Sequence, residues 1–100
     1  MKKILLVCNA GMSTSMLVAK MKKAAQELGV EADIEAKSLT EAKKTLHEAD
    51  IILIGPQIRY EKANVKALAG AVPVEAIDMK DYGLMDGKKV LQHALEVMGG

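Results

Sequence analysis

The sequence predicts an α/β protein with a four-stranded parallel sheet and helices on both faces. Two continuous aliphatic runs, Ile-Leu-Leu-Val at 4–7 and Ile-Ile-Leu-Ile at 51–54, are typical of strands that are buried on both faces. Strand and helix patterns alternate along the chain, which favours parallel strands joined by right-handed crossover helices. Placing the two aliphatic strands in the centre gives the spatial strand order 2-1-3-4.

The first half of the chain is predicted to run strand, helix, strand, helix. Apolar residues at helical spacing over 17–28 indicate the first helix, and Gly29 ends it because glycine adopts the left-handed conformation without a Cβ penalty. Alternating residues over 32–37 predict an edge strand with one face wetter than the other. Ser38, followed three residues later by Glu41, forms a capping box for a short second helix.

The second half repeats this alternation with weaker signals. A glycine and a proline stop the third strand, and a helix is predicted over 61–69. Pro73 has no N–H to donate to the strand ladder, so the fourth strand belongs at a sheet edge. Residues 78–85 are predicted to form a loop, and a last amphipathic helix begins near Asp86.

Composition narrows the possible functions. One hundred residues predict a single domain over 1–100. The chain has no Trp or Phe and only two Tyr, which excludes a platform of stacked aromatics for single-stranded nucleic acid. A net charge of +1 indicates no nucleic-acid partner. No apolar run approaches the ~20 residues that span a bilayer, so the chain is expected to be soluble and cytoplasmic, without direct membrane insertion.

The chain contains one cysteine and two separated histidines. One cysteine cannot form an intramolecular disulfide, which agrees with a reducing compartment. These residues also supply no ligand set for a structural zinc ion. We therefore expect neither a metal nor a cofactor.

The single cysteine, Cys8, stands where the first aliphatic run ends and a hydroxyl-rich segment opens a helix. Converging backbone N–H groups and the positive end of a helix stabilise a thiolate, and the same groups suit a phosphate. Gly11 lets the backbone approach a ligand closely, while the hydroxyl residues can cap the helix and face inward. The predicted phosphate-binding loop comprises Asn9, Ala10, Gly11, Met12, Ser13, Thr14 and Ser15. A buried structural cysteine before an ordinary capped helix is the alternative.

Topology selects the same place. In the order 2-1-3-4 the sheet reverses direction between strands 1 and 3, and open α/β sheets bind ligands outside the carboxyl ends of strands at that point. The Cys8 segment and the 55–60 loop should therefore meet there. Gln57, Arg59 and Tyr60 are predicted to line a pocket or contact a partner, and Tyr60 could pack under the loop or cap the pocket.

The motif at residues 8–15, Cys-Asn-Ala-Gly-Met-Ser-Thr-Ser, closely resembles that of the IIB components of the bacterial phosphoenolpyruvate-dependent sugar phosphotransferase system, of the lactose/cellobiose/chitobiose type. The stretches 55–58, 77–78 and 82–87 are similar too, so the likeness covers essentially the whole chain. This resemblance implies a phosphocarrier with a flavodoxin-like or low-molecular-weight-phosphatase-like sheet. Cys8 would take a phosphoryl group from a phosphohistidine on a IIA component. It would pass that group to a sugar, a β-linked disaccharide, as the membrane IIC component imports it.

The residues also allow two rival assignments, a phosphatase and a phosphohistidine carrier. A low-molecular-weight tyrosine phosphatase has a Cys-x5-Arg loop after strand 1, but the arginine position here is Thr14. Asp78 or Asp81 could supply the acid of such an enzyme, although capping or surface roles are favoured. His47 and His93 could be phosphohistidines, yet both lie within helical patterns rather than at strand ends, which favours exposed structural roles.

Overall fold

The structure is a computed structural model that describes residues 2–8 and 12–99. The strands are β1 (Lys2–Cys8), β2 (Ala32–Ser38), β3 (Ile51–Ile54) and β4 (Val74–Ala76). The helices are α1 (Met12–Leu28), α2 (Leu39–Ala42), α3 (Lys62–Ala69), α4 (Met79–Gly83) and α5 (Gly87–Val97). Two 3₁₀ segments, Leu46–Glu48 and Pro56–Glu61, precede β3 and α3.

The four strands form one sheet in the order β2-β1-β3-β4, with all three pairings parallel. The predicted fold and strand order are therefore confirmed. The central strands are the two aliphatic runs, and residues 4–8 and 51–54 are all buried. Strand β2, which carries Asp33, and strand β4, which directly follows Pro73, lie at the two edges, where a polar face and a missing N–H donor are tolerated.

Alternating strand residues divide the core between the two faces of the sheet. Ile4, Leu6 and Leu53 pack on the face covered by α1 and α5. Leu5, Val7 and Ile52 pack on the face covered by α2 and α3. Because both faces are covered by helices, the carboxyl ends of the strands form the edge where loops of all four strand–helix units gather.

Three predicted elements differ in detail. The 78–85 loop contains helix α4, because Asp78 accepts hydrogen bonds from the N–H groups of Lys80 and Asp81 and caps it. The second helix is divided into α2 and a 3₁₀ turn. At its start the N–H of Glu41 donates to Ser38 Oγ, and the Ser38 hydroxyl lies 3.3 Å from the Glu41 carboxylate. The residues before α3 form a 3₁₀ segment rather than an open loop.

Candidate functional site

Cys8 lies at the carboxyl end of a central strand, at the reversal point of the sheet. It is paired in register with Ser38 of β2, and the preceding Val7 is paired with Ile54 of β3. The N–H of Gly55 donates to the carbonyl of Val7 at 2.9 Å, which continues the β1–β3 ladder beyond the end of β3. The chain that follows β3 therefore starts directly beside Cys8.

Gly55 brings the backbone of this second segment against the cysteine. A Cβ added to Gly55 would lie 3.5 Å from Cys8 Cβ and 3.0 Å from Gln57 Oε1. A larger side chain there would meet the cysteine and the glutamine together. Cys8 therefore lies next to the Gly55 backbone, at the reversal point of the sheet.

Cys8 is enclosed as well as central. The residue is 3% exposed and forms part of the buried core. This is more enclosed than the sequence argument expects of a thiol that faces an anion. Any chemistry at Cys8 Sγ therefore requires a route by which a donor reaches the sulfur.

Helix α1 begins earlier than the sequence suggests. Three residues of the predicted phosphate-binding loop, Asn9, Ala10 and Gly11, lie outside the described part of the chain. Helix α1 starts at Met12, so Ser13, Thr14 and Ser15 occupy its first turn, and none of the three is its N-cap. The first N–H groups of a helix have no acceptor within the helix, so this end of α1 offers hydrogen-bond donors and partial positive charge.

Thr14 and Ser15 of this turn lie in different environments, although both were predicted to face inward. Ser15 is exposed, whereas Thr14 is fully buried. Thr14 Oγ1 lies 3.2 Å from the hydroxyl oxygen of Tyr82, and either atom can donate the hydrogen bond. Sequence reasoning missed Tyr82, since the partners are 68 positions apart and Tyr82 fell in a segment predicted to be a loop.

The 3₁₀ segment after β3 presents its polar residues to solvent. Ile58 is 2% exposed and anchors the segment in the core, while Gln57, Arg59 and Tyr60 are exposed. Tyr60 is 74% exposed, so the prediction that its ring packs under the loop is wrong. The three predicted side chains therefore lie on a segment that starts beside Cys8, at Gly55, with their surfaces available to a partner.

A cleft of about 360 Å³ opens beside the carboxyl end of β4. Its lining residues are Leu53, Ala76, Ile77, Asp78, Asp81, Val90 and His93. Asp78 caps α4, which agrees with the capping role favoured from the sequence.

The two histidines both lie on the surface. His93 Nε2 lies 3.2 Å from Glu75 Oε1, and His93 and His47 are both exposed. His47 lies in a 3₁₀ turn and His93 within α5.

Within the part of the chain that the structure describes, no group of three or more His, Cys, Asp and Glu residues could hold a metal ion. No helix among the described residues has the length and apolar character required to cross a bilayer.

The family model described as "PTS system, Lactose/Cellobiose specific IIB subunit" matches residues 3–93. The chain belongs to this IIB family of the phosphotransferase system. The resemblance seen in the cysteine motif is thereby confirmed over the strands and helices that surround it.

Individual relatives agree with this membership. The oligo-beta-mannoside-specific EIIB component of Bacillus subtilis (strain 168) is 49% identical over 100 residues, covering 98% of this chain and 97% of the relative. The solution structure of a cellobiose-specific IIB component from Borrelia burgdorferi has 40% identity and a TM-score of 0.80, covering 97% of this chain and 91% of that one. A lactose-specific IIB domain from Streptococcus pneumoniae has a TM-score of 0.85 at 20% identity, covering 95% of both chains.

The fold also extends beyond the IIB family. A crystal structure of a YwlE mutant from Bacillus subtilis superimposes with a TM-score of 0.57 at 13% identity, covering 98% of this chain and 94% of that one. At this identity the likeness shows the fold alone. The IIB chain therefore shares its sheet with a protein of the low-molecular-weight-phosphatase type, as the sequence predicts.

Proposed function

We propose that this IIB component carries a phosphoryl group on Cys8. The observation that supports this most directly is the position of the only cysteine, at the carboxyl end of central strand β1, beside Gly55 and shortly before the first turn of α1. The N–H groups at the start of α1 would stabilise charge on the transferred phosphoryl oxygens. Residues 9–15, of which 12–15 form the first turn of α1, would bind the phosphoryl group.

The transfer balances as two displacements at phosphorus. The Cys8 thiolate attacks the phosphorus of a phosphohistidine on the IIA component, the S–P bond forms, the P–N bond breaks, and the leaving imidazole takes up a proton. A sugar hydroxyl oxygen then attacks the same phosphorus, the S–P bond breaks, and the hydroxyl proton is released while the thiolate is regenerated. Such transfers depend mainly on positioning and electrostatic stabilisation.

The proposed partners follow from this relay. A IIA component is the donor, and a membrane IIC component presents the imported sugar, so the chain would associate peripherally with that transporter. Exposed Gln57, Arg59 and Tyr60 are proposed partner contacts because their segment starts at Gly55, beside Cys8. The relatives carry different sugar names, oligo-beta-mannoside, cellobiose and lactose, and a β-linked sugar is proposed as the acceptor class.

The phosphatase alternative lacks its phosphate-binding cation. Thr14 stands at the arginine position of the Cys-x5-Arg pattern and is buried against Tyr82. A threonine cannot form the bidentate, charged contact that guanidinium makes with phosphate. A carrier also benefits from slow hydrolysis of its own intermediate, so the absence of arginine at this position favours transfer over hydrolysis.

The deciding experiment incubates the purified chain with a phosphorylated IIA component of the lactose/cellobiose type. We expect a mass increase of one phosphoryl group on the peptide containing Cys8, labile to iodine and stable to acid. Cys8→Ala should accept nothing. Phosphate on His47 or His93, or sustained hydrolysis of para-nitrophenyl phosphate, would contradict the proposal.

Cys8→Ser provides a second, more demanding comparison. It nearly preserves shape but removes the thiolate nucleophile, so acceptance from the donor should be lost. In the arginine phosphatase YwlE, a cysteine-to-serine mutant carries a phosphorylated active-site serine, which makes the alanine variant the stricter null. An iodine-stable phosphoryl group on Cys8→Ser, formed at the wild-type rate, would remove the need for a thiolate.

A further inference from the structure

The hydroxyl pair of Thr14 and Tyr82 joins two elements that are distant in sequence. Thr14 lies in the first turn of α1, and Tyr82 lies in α4, with their side-chain oxygens 3.2 Å apart. Thr14 is 0% exposed and Tyr82 is 7% exposed. A hydrogen bond between two buried hydroxyls favours one geometry of the two side chains, because separating them would leave buried polar groups without this contact and cost free energy.

The tyrosine is itself held on a defined frame. The N–H of Ile77 donates to the carbonyl of Ile54 at 2.8 Å, which fixes the end of β4 against β3. Asp78 then caps α4, and the Tyr82 ring packs in the core cluster that α1 and α5 cover. The backbone that carries Tyr82 is thus held by the sheet and by the cap of α4.

Thr14 occupies the turn that the proposed relay depends on. It is six residues after Cys8, and its own N–H belongs to the first turn of α1. A threonine hydroxyl can donate one hydrogen bond while accepting another. If Tyr82 donates to Thr14 Oγ1, the Thr14 hydroxyl keeps its own proton for a second hydrogen bond.

We infer that Tyr82 is a positioning residue for phosphoryl transfer at Cys8, acting through the Thr14 hydroxyl. The inference rests on the proposed phosphocarrier function. Tyr82 fixes the orientation of Thr14 and of the first turn of α1. The N–H groups at this helix end are thereby aligned before the IIA component binds.

The test measures phosphoryl acceptance from phosphorylated IIA by wild type, Tyr82→Phe, Thr14→Val and the double variant. Tyr82→Phe keeps the ring and removes the hydroxyl. We expect the rate at saturating donor to fall roughly tenfold, because small displacements of aligned groups slow a transfer step. The donor concentration at half-saturation should not change, since both hydroxyls are buried and cannot contact a partner.

The double variant separates positioning from stability. If Tyr82 acts through Thr14, the rate of the double variant should equal that of Thr14→Val alone, because the two residues act as one unit. Its midpoint of urea unfolding should recover relative to Tyr82→Phe, since removing both partners leaves no unpaired hydroxyl. Ile34→Val, a buried change on edge strand β2, controls for general loss of stability and should keep the wild-type rate.

Several results would overturn the inference. These are a wild-type rate in Tyr82→Phe, rate losses that multiply in the double variant, a rate that recovers together with stability, or an equal loss of rate in Ile34→Val. Failure of the wild-type chain to accept any phosphoryl group would instead refute the proposed function itself.

Discussion

Cys8 combines a position suited to phosphoryl chemistry with an exposure of only 3%. Its position could be predicted because a cysteine at the end of a buried central strand must lie at the carboxyl edge of a parallel sheet. Its enclosure could not, since that depends on separate segments that meet in the fold, such as the Gly55 backbone beside Cys8. The accessibility of the sulfur is therefore the first property to measure.

Alkylation of the single thiol measures both access and local charge. We expect the ratio of iodoacetate to iodoacetamide reactivity to be about two- to fivefold higher in the folded chain than in urea, which corresponds to 0.3–1 kcal/mol of attraction between an anion and a helix N-terminus. The measurement is the rate of mass increase with each reagent, with Cys8→Ala as the unlabelled control. No reaction with either reagent in the folded chain would show a sealed sulfur.

Thr14 and Tyr82 show where single-residue reasoning stops. The sequence places Thr14 correctly after the cysteine, but its inward hydroxyl meets a tyrosine 68 positions away. No local sequence pattern indicates such a pair, because threonine and tyrosine are residue types that also occur in surface turns. A buried hydroxyl needs a partner, so full burial of Thr14, once known, would have prompted the search.

Among the helices, α4 is the one that sequence patterns miss. Its five residues include a glycine and are too short to show helical periodicity. The chain forms a helix there because Asp78 satisfies two N–H groups at its start, at 2.9 and 3.2 Å. The longer helices α1 and α5 follow their apolar stripes and begin or end where the sequence indicates, at Gly29 and Asp86.

Removal of the α4 cap should have a local and moderate cost. Asp78→Ala is expected to lower the free energy of unfolding by about 1 kcal/mol, because two N–H groups lose their acceptor. Asp78→Asn keeps an acceptor oxygen and should recover most of that loss. Urea denaturation of both variants provides the measurement. Equal destabilisation by Asn and Ala would mean that the negative charge matters and the cap does not.

The packing of α5 on α1 depends on one glycine. A Cβ at Gly87 would lie 2.6 Å from the carbonyl carbon of Lys20 and 2.6 Å from the backbone nitrogen of Met21. These are backbone atoms, so the conflict can be relieved only by moving one helix away from the other. The sequence marks Gly87 as part of a helix start but gives no sign of this close approach.

Gly87→Ala should therefore destabilise the fold by about 1–3 kcal/mol, as overpacking of a core does. Gly83→Ala is the matched control, because a Cβ there meets nothing within 4 Å, and it should be neutral or stabilising by about 0.4–1 kcal/mol. Thermal or urea unfolding distinguishes the two. A neutral Gly87→Ala would show that α5 can shift freely along α1.

The whole sheet was predictable because hydrophobicity and topology constrain it together. Continuous aliphatic strands belong inside, and the strand with Asp33 and the strand after Pro73 belong at the edges. Right-handed crossovers and the tendency of consecutive strands to be neighbours then favour the observed order. The same order fixes the meeting of Cys8 and Gly55 at the reversal point. The sequence could not predict how far each side chain at that edge is buried, and so it missed the burial of Cys8 and the exposure of Tyr60.

If this edge of the sheet is an anion site, phosphate should stabilise the whole molecule. A ligand that binds only the folded chain adds RT ln(1 + [L]/Kd), about 1.4 kcal/mol at ten times its Kd, which corresponds to a rise in Tm of roughly 4–8 °C for each kcal/mol in a chain of this size. The measurement is Tm as a function of phosphate concentration at constant ionic strength. Binding at a site saturates, whereas exclusion of phosphate from the protein surface stabilises without saturation. Citrate, also excluded but differently shaped, is the control, and an equal unsaturated rise with both salts would argue against a phosphate site at the end of β1.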